Sequence, residues 1–303
     1  MSYDPDALLG RRRLKRRLRL WQGITILAVI GIVLVSLHAS GELLHSDRIA
    51  RIYVEGVIVR DDARAQTLAE LAADESVRGV VIHIDSPGGT VVGGEDLYKG
   101  LRGIAEHKPV AAVMGTVATS AAYMAGVGAD RVFVREGTIT GSIGVILQMA
   151  NVVELLNKIG VEPITIKSSE LKGIPSPVEP LTETGREATK EVVGDLYDFF
   201  VDIVAARRGF DRDTALKLAD GRIFAGRQAL DAGLVDEIGD EHAALAWMVE
   251  TQDVPAGLPV DTVEESAEAE TLLERLLGVS GKSLFSNTLT LDGMVSLWQP
   301  TAH

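Results

Sequence analysis

The chain of 303 residues contains no cysteine. This absence excludes disulfide bonds, a thiolate nucleophile and a cysteine-ligated zinc site. Aromatic residues make up only 5% of the chain, but 46% of it is hydrophobic, which is enough to bury a large core. The formal net charge of −13 argues against a basic surface of the kind that binds nucleic acid, so no nucleic-acid partner is expected.

The N-terminal region is basic although the chain as a whole is acidic. Seven Arg and Lys residues lie between Arg11 and Arg19, and residues 20–41 contain no Asp, Glu, Lys or Arg. About 20 apolar residues in a helix span a bilayer core, and a basic flank stays on the cytoplasmic side. The pattern predicts a cytoplasmic arm (1–20), a transmembrane anchor (21–41) and an extracytoplasmic remainder at the cell membrane. A cleaved signal peptide is the alternative, although "SLHAS" is a poor cleavage site.

Beyond residue 48, segments with a strand pattern alternate with segments of helical periodicity. Strands are predicted at residues 49–59, 78–89, 108–118 and 131–135, and helices at 62–77, 94–107 and 182–207, with short helices to about Met248. Such alternation favours an α/β fold with a parallel sheet and right-handed crossovers. We therefore predict one domain over residues 42–254. Residues 255–303 are predicted to be an acidic linker and a tail, and the apolar segment at 284–298 has no assigned role.

Two of the predicted strands end in turns of small residues, "DSPGG" at 85–89 and "TSAA" at 119–122. Strand ends in a parallel sheet meet at one edge, where sites form. Ser120 is a candidate nucleophile, and its small neighbours indicate access for a peptide. The N–H groups of Gly89 and Ala121 are candidate donors to an oxyanion, because glycine lets the backbone approach a ligand closely. The alternatives are an ordinary turn and a helix capped by Thr119 or Ser120.

The general base is less clearly indicated. His83 and Asp85 share one face of a strand, which permits a Ser-His-Asp arrangement, although a core histidine bonded to the backbone is the more ordinary role. Lys167 and Lys172 are the other candidates. A lysine acts as a base only when desolvation lowers its pKa from about 10.4. Lys172 has apolar neighbours in sequence, but the residues alone leave the choice open.

Four segments, in order and spacing, resemble the signal peptide peptidase A family of membrane-anchored serine-lysine peptidases, in the Clp protease/crotonase superfamily. The segments are "DSPGG", "TSAAYMAGVGADRVFVREGTITGSIGV", "IKSSELKGIPSPVEPLT" and "DGRIFAGRQALDAGLVDEIG". The resemblance covers about residues 49–250 and implies a Clp/crotonase-like ββα superhelix. It implies these roles: Ser120 as nucleophile, Lys172 as general base, Ser142 as the serine that orients the lysine, and Gly89 and Ala121 as oxyanion donors. Where the family usually has two glycines after the nucleophile, this chain has Ala121 and Ala122.

The resemblance also implies an activity and its partners. We expect a membrane-anchored serine endopeptidase that degrades cleaved signal peptides or other apolar peptides on the extracytoplasmic side. It would act as a homo-oligomer, without a metal or other cofactor. Two alternatives remain at this stage: a crotonase-type acyl-CoA enzyme, and a non-catalytic membrane scaffold of the same fold.

Overall fold

The computed structural model describes residues 21–30, 47–263 and 295–297. The chain divides into two compact units, Met1–Asp47 and Arg48–His303. In the first unit, residues 21–30 are helical (α1) and exposed, and the predicted arm and the rest of the predicted anchor lie outside the described residues. Across the described part of the chain, no helix combines the length and the hydropathy needed to cross a bilayer.

The second unit alternates strands and helices through most of its length. Its elements are β1 (Arg48–Glu55), α2 (Asp62–Ala73), β2 (Val77–Ser86), β3 (Gly88–Thr90), α3 (Val91–Ala105), β4 (Val110–Thr119), α4 (Ala121–Gly126), β5 (Arg131–Val134), β6 (Ile139–Gly141), α5 (Val153–Lys158), α6 (Glu183–Arg208), α7 (Arg212–Leu218), β7 (Ile223–Ala225), α8 (Gly226–Asp231), β8 (Glu237–Ile238), α9 (Glu241–Thr251), β9 (Val260–Thr262) and β10 (Val295–Leu297). The long helix α6 starts where its sequence signal predicts, because the Thr182 hydroxyl accepts the Gly185 N–H at 3.1 Å.

The main sheet has the strand order β7-β6-β4-β2-β1-β9, with β5 joining β4 to β8. Strands β1, β2 and β4 pair in parallel, which confirms the predicted parallel α/β sheet. Strand β2 carries apolar residues on both faces over residues 80–82, because helices cover both faces there. Ile82 and Ile84 face a core cluster that includes Tyr123 of α4, and Val81 faces a second cluster that includes Trp247 of α9.

Strand β4 changes neighbours along its length. Its first half pairs with β5, in the register Ala111 to Arg131 and Val113 to Phe133, and its last residues pair with β6, in the register Val117 to Ile139 and Thr119 to Gly141. Between the two halves the pairing with β2 is irregular. The Asp85 carboxylate accepts the backbone N–H groups of Thr116 at 3.2 Å and Val117 at 3.1 Å, which holds this irregular stretch in place. The sheet therefore forks at β4, and Ser120 lies at the end of the β6 branch.

The folded unit extends beyond the predicted domain boundary at residue 254. Strand β9 pairs in parallel with residues 49–51 of β1, and Val254 is buried in the cluster around Trp247. Residues 260–262, which the composition assigns to a linker, thus belong to the sheet. A three-residue edge strand is too short for periodicity to reveal, and its acidic Asp261 resembles the linker composition.

Candidate active site

Ser120 occupies a strained turn between β4 and α4. Its backbone has φ 58° and ψ −121°, and the residue is only 1% exposed. A non-glycine residue in such a region costs about 1–3 kcal/mol, and residues of this kind cluster at functional sites. Ser120 takes the N-cap position of α4, but its side chain makes no capping bond. The Thr119 hydroxyl donates to the Pro87 carbonyl at 3.0 Å. Ser120 thus holds the predicted N-cap position, but neither side chain caps the helix by a hydrogen bond.

The small residues after Ser120 reflect the close packing of α4. Ala121 and Ala122 are fully buried. A Cβ at Gly94 of α3 would lie 3.0 Å from the Ala121 Cβ, so the two helices approach each other at small side chains. The interpretation that these residues provide access is therefore incomplete, since tight helix packing requires them first.

The Pro-Gly-Gly turn is shaped by neighbouring backbone. Gly88 has φ 109°, a conformation that side chains disfavour, and its N–H donates to the Ser86 hydroxyl at 3.1 Å. A Cβ at Gly89 would lie 1.7 Å from the Ile58 carbonyl oxygen. Close approach at Gly89 is thus to the chain's own backbone, and not only to a ligand as the sequence suggested.

The ends of β2 and β4 bring Gly89, Ser120 and Ala121 to one edge of the sheet. Ser86 pairs with Ala118, so the glycine turn and the serine turn each follow that pair by two or three residues. The bond from Thr119 to Pro87 joins the two turns, and α4 packs against β3. Ala121 is the first residue of α4, where a backbone N–H has no partner within its helix.

Ser142 lies beside this turn. It follows β6, whose Gly141 pairs with Thr119, and Gly141 accepts the N–H of Ser120 at 2.8 Å. Ser142 is 9% exposed and has φ 52°, so a second strained serine lies next to the first. Its own N–H donates to the Arg222 carbonyl at 2.8 Å, which fixes the turn.

Lys172 lies in the long segment between β6 and α6. It is exposed, and its N–H donates to the Ser169 carbonyl at 3.2 Å. Leu171 is 46% exposed, so the apolar shelter expected from this neighbour is not formed within one chain. The pairing of Lys172 with Ser120 stays a prediction.

Lys167, the other lysine candidate, already has a partner. Its ammonium group contacts the Glu179 carboxylate, and both side chains are largely covered. The hydrogen bond from Lys167 lowers the pKa of Glu179. This contact directs the Lys167 amine towards Glu179, so Lys172 is the lysine that we carry forward as the candidate base.

His83 does not form a catalytic triad with Ser120. On β2, His83 lies three residues before Ser86, and Ser86 pairs with Ala118 of β4. Ser120 lies two residues after Ala118, so His83 and Ser120 are about 15 Å apart along the strands. His83 Nε2 lies 2.6 Å from the Glu241 carboxylate, and its ring stacks on Tyr53 with centroids 4.9 Å apart. The expectation of a core histidine bonded to backbone is wrong, because the partner is a carboxylate.

Two residues that position the site carry no signal in the sequence: Ile58 and Arg222. Ile58 and Arg222 act through backbone carbonyls, which no side-chain pattern could reveal. Within residues 21–30 and 47–263, no cluster of three or more His, Asp or Glu side chains is placed to hold a metal ion.

The chain is similar in sequence to known peptidases. A model of peptidase family S49 matches residues 103–255, and a Clp protease model matches residues 41–154. A protein of Synechocystis sp. that is named a protease by inference is 36% identical over 233 residues, covering 76% of this chain and 83% of its own length. An inferred signal peptide peptidase SppA of Enterococcus faecium is 38% identical over 179 residues, covering 59% of this chain and 52% of its own length.

Two further matches are more distant. The chloroplastic serine protease SPPA of Arabidopsis thaliana is 30% identical over 76% of this chain and 34% of its own length. A solved ClpP1 structure from Listeria monocytogenes has 18% identity and a TM-score of 0.42, covering 63% of this chain and 91% of that chain. With a matching family model over half of its length and a relative aligned over most of both chains, this α/β protein belongs to peptidase family S49.

Proposed function

We propose that the protein is a serine endopeptidase in which Ser120 is the nucleophile and Lys172 is the general base. The observation that carries the proposal is the strained Ser120 turn, which meets the Gly89 turn and Ser142 at one sheet edge. The S49 match favours a peptidase over an acyl-CoA enzyme of related fold.

The proposed reaction follows from these positions. Neutral Lys172 takes the hydroxyl proton as Ser120 Oγ attacks the peptide carbonyl, and the N–H groups of Gly89 and Ala121 stabilise the oxyanion. The tetrahedral intermediate collapses to an acyl-enzyme while Lys172 gives its proton to the leaving amine. Lys172 then takes a proton from water as the water oxygen attacks the ester, and it returns this proton to Ser120 Oγ as the bond to the acyl group breaks. The Ser142 hydroxyl orients the lysine by hydrogen bonding. No metal or cofactor takes part in this scheme.

A homo-oligomer would complete the surroundings of Lys172. Large apolar side chains are exposed along residues 146–171, among them Ile164 at 85% and Ile166 at 95%. Exposed apolar surface of this extent is typical of an interface. We assign it to contacts between copies of this chain, which would also shelter Lys172. Sedimentation of the wild type should show a multimer, and the double variant Ile164→Asp/Ile166→Asp should sediment as a smaller species. A wild type that sediments as a monomer would refute the assignment.

The proposed substrates are apolar peptides, such as cleaved signal peptides, and the proposed location is the extracytoplasmic face of the cell membrane. The basic arm and the apolar run at residues 21–41 support this placement. Protease added to spheroplasts should digest the chain beyond residue 41 and leave residues 1–20 protected. A mature chain beginning near Ser40 would contradict the anchor.

Peptide hydrolysis by the full-length protein tests the activity itself. The wild type should cleave an apolar peptide carrying a fluorophore and a quencher, and it should be labelled on Ser120 by a fluorophosphonate. Ser120→Ala should lose both properties while keeping its melting temperature. Absence of cleavage and labelling in a folded wild-type multimer would instead support a scaffold.

A further inference from the structure

The C-terminal strand β10 pairs with the strand that carries Gly89. The ladder is antiparallel, with Val295 opposite Thr90, Ser296 opposite Gly89 and Leu297 opposite Gly88. This strand belongs to the apolar tail segment that the sequence left without a role. It therefore lies along the edge where the proposed reaction needs its oxyanion donor.

The hydrogen-bonding pattern of β3 identifies the groups that face β10. The Gly88 carbonyl accepts the Ile58 N–H at 2.9 Å, and the Thr90 N–H donates to the Ile58 carbonyl at 2.8 Å. Successive residues of a strand direct their backbone groups to opposite sides. The N–H and carbonyl of Gly89 consequently face β10, and Gly89 with Ser296 is the hydrogen-bonded pair of that ladder.

From this register we infer that the C-terminal segment around Ser296 occupies the peptide-binding edge of its own chain and competes with incoming substrate. The inference rests on the proposed function for its consequence, because the donor in question is the Gly89 N–H assigned to the oxyanion. An extended peptide binds a sheet edge through its backbone, and β10 presents the same chemistry. The Ser296 carbonyl takes the Gly89 N–H, so a substrate must displace β10 before it can react.

A proline substitution tests the pairing without relying on any side chain. Ser296→Pro removes the N–H that donates to Gly89, whereas Leu297→Pro changes a neighbour whose N–H faces away from β3. Hydrogen exchange of residues 88–90, measured in full-length Ser120→Ala protein, should accelerate in Ser296→Pro and stay slow in Leu297→Pro. Equal exchange in all three proteins would overturn the inference, whatever the activity of the enzyme.

The same two prolines in the chain with Ser120 intact test the competition. If β10 is docked in nine molecules of ten, it raises KM for a peptide about tenfold, because only the open fraction binds. Ser296→Pro should therefore lower KM about tenfold with kcat unchanged, and a synthetic peptide of sequence LDGMVSLWQP should inhibit it. Unchanged KM in Ser296→Pro would refute the competition. Absence of hydrolysis in every variant would refute the proposed function instead, and the exchange result would still decide the pairing.

Discussion

The N–H of Ser120 donates a 2.8 Å hydrogen bond to the carbonyl of Gly141. This bond extends the β4–β6 ladder by one residue and sets Ser142 beside the proposed nucleophile. Both serines have positive φ, and each strained conformation persists only because its neighbours fix it. The ladder therefore links the geometry of the nucleophile to that of the serine proposed to orient its base.

Loss of the Ser142 hydroxyl should slow peptide hydrolysis. We expect Ser142→Ala to lower kcat by about 10- to 100-fold, less than the loss of a general base, since acid-base help is typically worth about 10²- to 10⁴-fold. Ser142→Gly should lower kcat equally but keep or raise the melting temperature, because glycine adopts φ 52° without strain. Unchanged kcat in both variants would make this turn purely structural.

Lys172 and Lys167 form a matched pair for identifying the base. Lys172→Met and Lys172→Arg should both abolish acylation of Ser120, because neither side chain offers a neutral amine. Lys167→Met should instead lower stability, since it leaves the Glu179 carboxylate without its partner, and it should keep most of the rate. Burst kinetics with an activated ester and thermal unfolding separate the two effects. Normal acylation in Lys172→Met would reject the dyad.

The contact between α3 and α4 should control the nucleophile turn. Gly94→Ala places a methyl group 3.0 Å from the Ala121 Cβ, so we expect α4 to shift and kcat to fall, with a loss of stability of about 1–3 kcal/mol. Gly103→Ala lies in the same helix with open space around the new methyl. It should gain up to about 1 kcal/mol from helix propensity and leave kcat unchanged. Equal kcat in the two variants would show that the contact between α3 and α4 does not control the nucleophile turn.

Glu241 should contribute to the loss of folding stability at acid pH. Burial raises the pKa of Glu241, but the hydrogen bonds from Arg51 and His83 outweigh it, so the net effect lowers the pKa. A carboxyl group with a lowered folded pKa adds stability above its unfolded value of about 4.3, and this stability is lost as pH falls through the folded value. Glu241→Gln should therefore lose less unfolding free energy than the wild type between about pH 5 and pH 3. The free energy of unfolding can be measured by urea titration at each pH. An equal decrease with falling pH in both proteins would contradict the role of Glu241.

His83→Gln provides the corresponding control on catalysis. It weakens the contact with Glu241 and should reduce stability, but His83 lies about 15 Å from Ser120 along the strands, so kcat should change less than twofold. An acid limb of the pH–rate profile that disappears in this variant would instead support a histidine base.

The sequence predicted the parallel core because β2, β4 and α3 carry strong periodic signals close to their observed bounds. Gly89 and Ser120 lie in the turns that follow β2 and β4, as the sequence predicted, whereas Ser142 follows β6 and was named only through the family resemblance. The catalytic roles of all three stay predictions. The sequence could not reveal the fork of β4, since that depends on the Asp85 carboxylate binding backbone 31 and 32 residues away. Strands β9 and β10 escaped because each has three residues, and tertiary pairing rather than local pattern defines them.

The position of Lys172 was the hardest to predict. Its sequence flanks are apolar, but Leu171 is exposed in the single chain, because flanking residues do not determine what covers a loop. Shelter for a lysine comes from whichever surface packs over it, and local sequence does not encode that surface.

Because the sheet forks at β4, the two ends of this strand have different neighbouring strands. Towards its start, β4 lies between β2 and β5 over the main core, whereas its last residues rest on β6, a strand of three residues backed by β7, another of three. Short strands with few buried contacts open at lower free energy than the central sheet. On gradual warming, the nucleophile end can therefore come apart while the rest of the sheet stays intact, so heat inactivation would precede the loss of secondary structure.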